Sequence, residues 1–438
     1  MAHRGREEDA RSARDALSFK VPRILLADAD AFFVAVARKV DPEGAGRAPL
    51  LIVGGRPGSR GVVCSASYET RAFGVRSAMP IAQALRLCPD AMCVPVPRNA
   101  CSDNSRAIRR VLETFTPAVE GASIDEWYLD LSGTEALYHG ESLRETALRM
   151  RQAVIDQVGL SLSLGGGPSK LVAKLAAERA KPSKQPDGGG VFIVPDDGVL
   201  AFMRTVELAD IPGIGPKLQE KLGALGLRHA SDVLPHDRLT LTRWVGPKTA
   251  DWLYDRVRGV SHSSVEPRTP AKQISREETF PRDISTNAEV ASELRMLAEK
   301  VGSDLRGEGL GARTITVKLR DTSFTTRTAS RTLDQPIESD RALIDVAQAL
   351  LTKLRGVRPA PARLVGVAVS NFGSARDAEQ LSIFQTTHAT PEAPERERDR
   401  DLSRAVDRVR EKFGDTAIRT GEARRAPLGE KGARAPRT

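Results

Sequence analysis

Two short apolar segments of the chain run directly into pairs of acidic residues. The first, RILLADAD, contains Asp28 and Asp30, and the second, SIDEWYLDL, contains Asp125 and Glu126. Such apolar runs predict buried strands, and the ends of strands in one sheet can meet in space. Carboxylates gathered in this way cannot all ionise cheaply unless a cation neutralises them. The pattern therefore predicts a sheet whose strand ends collect three or four carboxylates around a cation.

The chemistry of these side chains points to a particular kind of metal site. Ligands that are all oxygen favour Mg²⁺, with Mn²⁺ as a possible substitute, over zinc. Two such ions roughly 3.5–4 Å apart would stabilise both oxygens of an in-line phosphoryl displacement. The alternative is that DAD and DE are ordinary surface or capping pairs. The six histidines are scattered and the four cysteines form no CxxC pair, so catalysis would rest on carboxylates.

The order of the predicted elements indicates an α+β fold. A strand and a helix are predicted in RILLADADAFFVAVARKV, a helix over 99–115, and a β-hairpin in VEGASIDEWYLDLSG. Apolar residues recur on one helix face over 143–154, which predicts a helix. LSLSLGG is then predicted as a strand, and a further helix is predicted to end at Pro182. We expect these elements to form a sheet covered by helices on one face.

The length and the polar interruptions predict several domains. At roughly 150 residues per domain, 438 residues correspond to about three. Glycine- and lysine-rich residues 181–190 and polar residues 261–273 mark two boundaries, and the segment 274–372 alternates strands and helices. The charged, aperiodic first residues predict a disordered arm.

The composition favours a nucleic-acid partner over a membrane. The chain carries 66 Lys and Arg against 57 Asp and Glu, a net charge of +9. A basic surplus favours polyanions, although an arginine-rich soluble protein would have the same balance. The chain contains no apolar run of about 18 residues and no apolar stretch typical of a signal peptide near its start. We therefore expect a cytoplasmic protein with no membrane partner.

Four residues are candidates for binding a phosphate anion. Ser65, Tyr68 and Arg71 lie in SASYETRAFG, and Lys181 follows a helix rich in Lys and Ala. A helix would place Tyr68 and Arg71 on one face. Arg binds phosphate in a bidentate fashion and Lys binds it as a point charge. Each could instead be a solvated surface charge, and the accompanying carboxylates favour the binding site.

IPGIGPKL at 211–218 has the pattern of a helix-hairpin-helix turn. Gly213 and Gly215 would let backbone N–H groups, together with Lys217, face a DNA phosphate at a helix N-terminus. A weaker version of the pattern lies at 245–253. The alternative is an ordinary glycine turn between helices.

The segment 312–331 alternates and contains five basic residues against one acid. It predicts an antiparallel strand pair with a cationic face, on which Lys318, Arg320 and Arg331 would contact the DNA backbone. A solvated edge strand protected by charge would explain the pattern nearly as well.

Taken together, five motifs resemble a known family. They are DADAFF, SASYETRAFGVRSAMP, SIDEWYLDLSG, GGGPSKLVAKLAAERAKP and IPGIGPKL, in the order and at the spacing of that family. From about residue 22 to about residue 415 the chain resembles the Y-family translesion DNA polymerases of the bacterial DNA polymerase IV branch. The resemblance implies an error-prone, template-directed polymerase without proofreading that adds dNTPs to a primer 3′-hydroxyl, and it implies a monomer.

The resemblance assigns roles to the acidic residues. Asp28 and Asp125 would bind the two metal ions, and Glu126 would be the third catalytic carboxylate. Ala29 would contribute only its backbone carbonyl to the metal. Asp30 matches an acidic position whose role is less defined.

The same resemblance assigns the nucleotide contacts. Ser65, Tyr68, Arg71 and Lys181 match residues that hold the incoming triphosphate. Phe33 aligns with the steric gate that excludes a ribose 2′-OH, and the alternative is a plain core aromatic. Trp127 and Ser67 depart from the usual family pattern, where a small residue and Asn are common.

The implied fold is a right-hand polymerase with palm, small fingers, a helical thumb and an α/β little finger. The palm would be discontinuous, over 22–31 and 98–185, with the fingers at 32–97 between its two parts. The remaining parts would be an N-terminal arm at 1–21, the thumb at 186–265, the little finger at 272–373 and a flexible tail at 374–438.

QLSIF at 380–384 resembles the peptide by which bacterial polymerases bind the sliding clamp. Its apolar side chains on a flexible segment suit a shallow apolar groove. Gln380, Leu381, Ile383 and Phe384 are the expected contacts.

Two other classes of protein remain as alternatives. A non-catalytic adaptor that retains the fold would be expected to lose the carboxylates, and all three are present. A palm-type nucleotidyl cyclase would need neither the hairpin turn, nor the basic C-terminal domain, nor QLSIF.

Overall fold

The computed structural model describes residues 23–134, 137, 140–184, 190–267, 270–373, 395–414 and 417–418. The chain divides into two compact units, Met1–Thr269 and Pro270–Thr438, called here the N-terminal and C-terminal units. The arm at 1–21 and the QLSIF peptide lie outside the described residues. Within the described residues, no helix has the length and apolar character needed to cross a membrane.

A five-stranded sheet in the order β5-β6-β1-β7-β8 forms the centre of the N-terminal unit. β1 lies in the middle, antiparallel to both β6 and β7, and β8 runs parallel to β7. The strands are β1 (Ile24–Ala29), β5 (Val119–Gly121), β6 (Glu126–Asp130), β7 (Leu162–Gly167) and β8 (Val191–Ile193).

Helices cover both faces of this sheet, whereas the sequence predicted one covered face. The helices α4 (Arg98–Glu113) and α5 (Leu143–Val158) pack on the face that includes Leu25 and Ala27. Helix α6 (Lys170–Ala180) packs on the other face. A Cβ atom at Gly165 would lie 1.9 Å from the Ala177 backbone nitrogen, so this glycine permits the close approach of α6.

The five-stranded sheet extends beyond the predicted palm boundary at residue 185. β8 pairs with β7 through Leu164, Gly165 and Gly166. Three isolated apolar residues after a glycine-rich stretch do not by themselves predict membership of a sheet more than twenty residues earlier.

A small three-stranded sheet, ordered β3-β2-β4, is inserted between β1 and α4. It packs with the helix Ile81–Leu87 around its own apolar core. The elements are α1 (Phe32–Val40), β2 (Leu51–Gly54), β3 (Val63–Ala66), α2 (Tyr68–Ala72), α3 (Ile81–Leu87) and β4 (Met92–Val94).

A helical region follows β8, and its core includes Leu171 and Leu175 of α6. Two of its helices begin with proline after a glycine, at Pro216 and Pro247, which suits the first helical position because no backbone N–H is needed there. The helices are α7 (Val199–Arg204), α8 (Pro216–Gly223), α9 (Ala230–Val233), α10 (Arg238–Val245) and α11 (Pro247–Arg256).

The C-terminal unit contains a four-stranded antiparallel sheet in the order β11-β10-β12-β9. Two long helices pack on one face of it and share one apolar core with the strands. The elements are β9 (Gln273–Ile284), α12 (Asn287–Gly307), β10 (Gly311–Asp321), β11 (Thr326–Ile337), α13 (Asp340–Val357) and β12 (Ala362–Gly373).

Residues Glu397–Phe413 form a helix, α14, which corrects the prediction of a flexible tail for this part of the chain. The helix buries Val406 and Ser403. Two hydrogen bonds of 2.6 and 3.0 Å join Asp407 to the Arg306 guanidinium of α12. Since the segment holds few apolar residues, its apolar periodicity is weak, and the ion pairs that hold it depend on tertiary structure.

Candidate active site

The register of the central sheet brings two of the predicted carboxylates together. Asp28, at the end of β1, lies directly opposite Glu126, the first residue of β6. Residues directly opposite in an antiparallel pair point to the same face. Ile24 and Leu26 precede Asp28 on that face and contact α6. Both carboxylates therefore lie on the α6 side of the sheet, where β1 ends.

Asp125 lies in the turn immediately before β6. Its backbone carbonyl accepts a hydrogen bond of 2.9 Å from the Ala29 N–H, which places the Asp125 backbone beside the end of β1. The Asp125 carboxylate accepts a hydrogen bond from the Ser123 hydroxyl. Asp28 and Glu126 thus lie opposite each other, whereas the Asp125 side chain is bound to Ser123 within its own turn.

Lysines from α6 and its C-terminal end neutralise both carboxylates. The Lys181 ammonium is 3.0 Å from a carboxylate oxygen of Asp28 and 2.6 Å from Glu178. The Lys174 ammonium donates to both oxygens of Glu126, at 2.9 and 2.7 Å. Two positive charges therefore lie against the predicted metal ligands.

Burial perturbs the acid–base behaviour of Asp28. Loss of solvent, with a smaller contribution from the negative charge of Glu126, raises the pKa of its carboxyl to about 6, although Lys181 acts in the opposite direction. The pKa of Lys181 is also raised, because the favourable charges of Asp28 and Glu178 outweigh its loss of solvent. The negative charges of Asp28 and Glu178 therefore favour a cation beside Asp28.

The residues fit a divalent cation bound by oxygen atoms. Asp28, Asp125 and Glu126 offer carboxylate oxygens. The Lys181 ammonium already lies against Asp28, and the Lys174 ammonium lies against Glu126. In the part of the chain that the structure describes, no three His, Cys, Asp or Glu side chains are close enough to form a preassembled metal site. Metal binding would therefore require the carboxylate side chains to rearrange.

Asp30 has a different role from the other acidic residues. Its two carboxylate oxygens accept hydrogen bonds from the hydroxyls of Ser163 (2.6 Å) and Ser161 (2.8 Å) on the β7 side. Its backbone N–H donates to the Ser161 carbonyl at 3.0 Å. Asp30 thus ties the end of β1 to β7.

The turn from β1 into α1 is strained. Ala31 has φ 44° and ψ 46°, a left-handed conformation that is unfavourable for a residue with a Cβ atom. It directly precedes Phe32, which is buried, and Phe33, which is half-buried. The two rings meet edge to face with centroids 5.5 Å apart. The predicted gate residue Phe33 packs against two apolar clusters and keeps some exposure.

The predicted triphosphate ligands lie on β3 and α2. Ser65 is buried in β3, and the Arg71 guanidinium lies 4.9 Å from the centre of the Tyr68 ring. Arg71 also donates to the Ala66 carbonyl at 2.9 Å. Burial raises the pKa of Tyr68, and the negative charge of Asp30 raises it further. Tyr68 is therefore within electrostatic range of the acidic end of β1.

The two departures from the family pattern have structural roles. Trp127 is buried on the α4 and α5 face, opposite the small Ala27 of β1. Its side chain points away from the carboxylates, because neighbouring residues of a strand alternate between faces. The Ser67 hydroxyl caps α2 by accepting from the Thr70 N–H and donates to the Pro49 carbonyl at 2.8 Å.

The predicted helix-hairpin-helix turn has the expected backbone. Gly213 has φ 102°, and a Cβ atom there would lie 2.6 Å from the Trp252 ring, so both conformation and space require glycine. Gly215 precedes α8, and Lys217 on its first turn is exposed. Gly246 precedes α11 in the weaker copy of the motif.

The predicted basic face of the C-terminal unit is only partly assembled. Lys318 and Arg320 lie on the sheet face opposite the helices, and Lys318 forms an ion pair with Glu277. Arg331 is opposite Ile315, whose side chain is in the core beneath the helices. Residues directly opposite in an antiparallel pair point to the same face. Arg331 therefore lies on the helix-covered face and not on the face of Lys318 and Arg320.

Sequence reasoning missed Lys174 and Glu178, which bind Glu126 and Lys181. Their signal was spacing: Lys170, Lys174 and Glu178 recur every four residues, so they share one face of α6. The two serines that bind Asp30 alternate in LSLSLGG, as residues on one face of a strand do.

Comparison with known proteins agrees with this architecture. Residues 27–178 match the impB/mucB/samB family, and residues 271–383 match its C-terminal domain. Residues 209–261 match a model described as the DNA polymerase-iota thumb domain.

Full-length relatives are similar over most of the chain. The DNA polymerase IV of Dehalococcoides mccartyi (strain CBDB1) is 33% identical over 92% of this chain and 98% of the relative. That of Gluconobacter oxydans is 35% identical over 83% of this chain and 99% of the relative. That of Caulobacter vibrioides is 34% identical over 90% and 93%.

Solved structures share the fold. A Y-family DNA polymerase chimera, Dbh-Dpo4(243-245)-Dbh, has a TM-score of 0.70 at 24% identity, covering 80% of this chain and 98% of the chimera. An insertion ternary complex of Dbh DNA polymerase has a TM-score of 0.56 at 25% identity, with the same coverage.

The fold and the acidic strand ends thus define a Y-family DNA polymerase, and the predicted fold class is confirmed. Enzymes of this class are metal-dependent, DNA-directed DNA polymerases. The chain belongs to the DNA polymerase IV family, and its activity is that of a translesion DNA polymerase. The cyclase and adaptor alternatives are therefore set aside.

Proposed function

We propose that Asp28, Asp125 and Glu126 bind two Mg²⁺ ions and catalyse nucleotide addition during error-prone translesion synthesis. The observation that carries the proposal is the β1–β6 register, which places Asp28 opposite Glu126 and next to the Asp125 backbone. The Ala29 carbonyl would be a further metal ligand. When bound, Mg²⁺ ions would activate the primer hydroxyl and stabilise charge on the reacting phosphate.

The chain's own residues would hold the dNTP triphosphate. Lys181 lies beside Asp28, and Arg71 and Tyr68 lie on α2, with Tyr68 in electrostatic range of Asp28 and Lys181. Cationic and hydroxyl groups in this arrangement would bind and orient phosphate oxygens. Buried Ser65 would contribute a hydroxyl from β3.

Primer-template DNA would contact two further regions. The turn with Gly213, Gly215 and Lys217 would bind one DNA phosphate through backbone N–H groups. Lys318 and Arg320 would contact the backbone from the open face of the C-terminal sheet. Arg331, on the other face, is withdrawn from this set.

Primer extension tests the proposed active site. We expect wild type to extend a primer with Mg²⁺ and four dNTPs, and the double variant Asp125→Ala, Glu126→Ala to show no extension. A matched control is Glu113→Ala, which removes an exposed ion pair with Arg109 on α4. Equal extension by wild type and the double variant would mean that the carboxylates are misassigned.

A bacterial sliding clamp is the proposed protein partner, through QLSIF at 380–384. The enzyme would act as a monomer in the cytoplasm. Deleting 380–384 should abolish stimulation by the clamp and leave extension of short primers unchanged. Undiminished stimulation would show that the clamp binds elsewhere.

A further inference from the structure

Two lysines of helix α6, one turn apart, bind two glutamates on neighbouring strands. Lys170 donates to both oxygens of Glu120 on β5, each at 2.7 Å. Lys174 donates to both oxygens of Glu126 on β6, at 2.9 and 2.7 Å. The two pairs have the same chemistry and similar geometry, but only Glu126 belongs to the proposed metal site.

The two lysines differ in how firmly they are held. The Lys170 ammonium also lies 4.5 Å from the centre of the Tyr128 ring and donates to the Ser264 carbonyl at 3.3 Å. For Lys174, Glu126 is the single hydrogen-bond partner among the residues that the structure describes. The Lys174 side chain is also more exposed, at 30% against 15% for Lys170. Lys174 can therefore leave its carboxylate at lower cost than Lys170.

The pairing of Lys174 conflicts with metal binding by Glu126. Both oxygens of the carboxylate are occupied by one ammonium group, and that positive charge would repel a divalent cation nearby. A lysine ammonium is a point charge on a flexible stem, so it can turn toward solvent without moving the helix.

We infer that Lys174 is a positioning residue that acts as a displaceable counter-ion of Glu126. In the metal-free enzyme it neutralises Glu126 and holds the carboxylate toward α6. A divalent cation that binds Glu126 displaces it. This inference rests on the proposed metal-binding role of Glu126.

The test measures metal binding by the free, full-length enzyme without DNA or nucleotide. Mn²⁺ is titrated into wild type and variants, and free Mn²⁺ is followed by electron paramagnetic resonance. Lys174→Met removes the charge and retains the apolar stem, while Lys174→Arg retains the charge. Lys170→Met is the matched control, and Glu126→Gln identifies the site.

We expect Lys174→Met to bind Mn²⁺ about fivefold more tightly than wild type, a change of about 1 kcal/mol at 1.4 kcal/mol per factor of ten. Lys174→Arg should bind Mn²⁺ as wild type does, and so should Lys170→Met. In EDTA both methionine variants should melt below wild type. Saturating Mn²⁺ should remove that deficit for Lys174→Met and leave it for Lys170→Met.

Two results would overturn the inference. Wild-type or weaker Mn²⁺ affinity in Lys174→Met would show that Lys174 is no displaceable counter-ion, while the metal site itself stands if Glu126→Gln loses affinity. Unchanged Mn²⁺ binding in Glu126→Gln would remove Glu126 from the metal site, and the inference would fall with that assignment.

Discussion

At the scale of single residues, Asp28 is a buried carboxyl whose charge the proposed metal site would use. Its side chain is only 10% exposed, and burial raises its pKa to about 6 from an ordinary value of 3.8. Between these two values the folded state retains a proton that the unfolded chain has lost, so stability falls as the pH rises through the interval. Above pH 6 the cost of the buried charge is fully present.

Asp28→Asn should therefore stabilise the metal-free N-terminal unit above pH 6, by up to about 3 kcal/mol. The advantage should shrink as the pH falls from 6 to 4, because Asp28 then becomes neutral in wild type too. Thermal melting in EDTA across this range measures the effect. A variant that is less stable than wild type at pH 7 would show that the Lys181 ion pair outweighs the burial of Asp28.

Phe33 is the residue on which sugar selection would depend. It follows the strained Ala31 and is half-buried, packing against two apolar clusters while keeping some exposure. We expect Phe33→Ala to raise ribonucleotide incorporation by at least about tenfold, or about 1.4 kcal/mol of discrimination. Primer extension with rNTPs measures this, with Phe73→Ala, an exposed aromatic after α2, as the control. Unchanged sugar discrimination would remove Phe33 from the gate.

At the scale of elements, ion pairs hold the polar helix α14 against the rest of the C-terminal unit. The Arg306 side chain is 4% exposed and bonds Asp407 of α14, Asp340 of α13 and the Glu338 carbonyl. Arg410 and Arg404 of α14 add pairs with Glu299 and Glu338. Breaking a buried ion pair on one side leaves an uncompensated charge, which is strongly destabilising.

Asp407→Asn should loosen α14, at a cost of about 1–3 kcal/mol, since Arg306 retains Asp340. Limited proteolysis of the full chain, with mapping of cuts inside Glu397–Phe413, measures the effect. The control is Asp401→Asn, at an exposed position of the same helix. Equal cleavage of both variants would mean that the Asp407 ion pair does not hold the helix.

At the scale of the whole molecule, residues 264–266, near the end of the N-terminal unit, are anchored to its five-stranded sheet. The Glu266 N–H donates to the Glu120 carboxylate at 2.7 Å, and the Ser264 carbonyl accepts from Lys170. Val265 packs on the core beside Tyr128. Residues 264–266 therefore pack as part of the N-terminal unit, although the sequence indicates a polar boundary over 261–273.

Glu120→Ala should release this anchor, because it removes both the acceptor for Glu266 and the partner of Lys170. We expect faster proteolysis within 261–267, measured by mass spectrometry of early cuts. Glu113→Ala, which removes an exposed ion pair on α4, should leave the rate unchanged. An unchanged rate in Glu120→Ala would show that the remaining contacts, the Lys170–Ser264 hydrogen bond and the packing of Val265, hold the segment without Glu120.

Much of the fold and part of the site could be predicted from local patterns. The strand ending at Asp28, the helix after it, the hairpin before Glu126 and the helix ending near Pro182 were all visible as apolar periodicity. The glycines of the helix-hairpin-helix turn at 211–218 were also predictable, because the left-handed backbone at Gly213 favours glycine. Such features depend on residues close together in the chain.

Other features depend on residues far apart and were decided only by tertiary structure. The second covered face of the sheet, the addition of β8 and the docking of α14 all require partners distant in sequence. The same holds for the ammonium groups of Lys174 and Lys181 against Glu126 and Asp28, and for the face on which Arg331 lies. By itself, the sequence indicated the candidate residues for the chemistry and the local elements that hold them. Register and packing decided which of those residues meet, because a shift of one position along a strand moves a side chain to the opposite face.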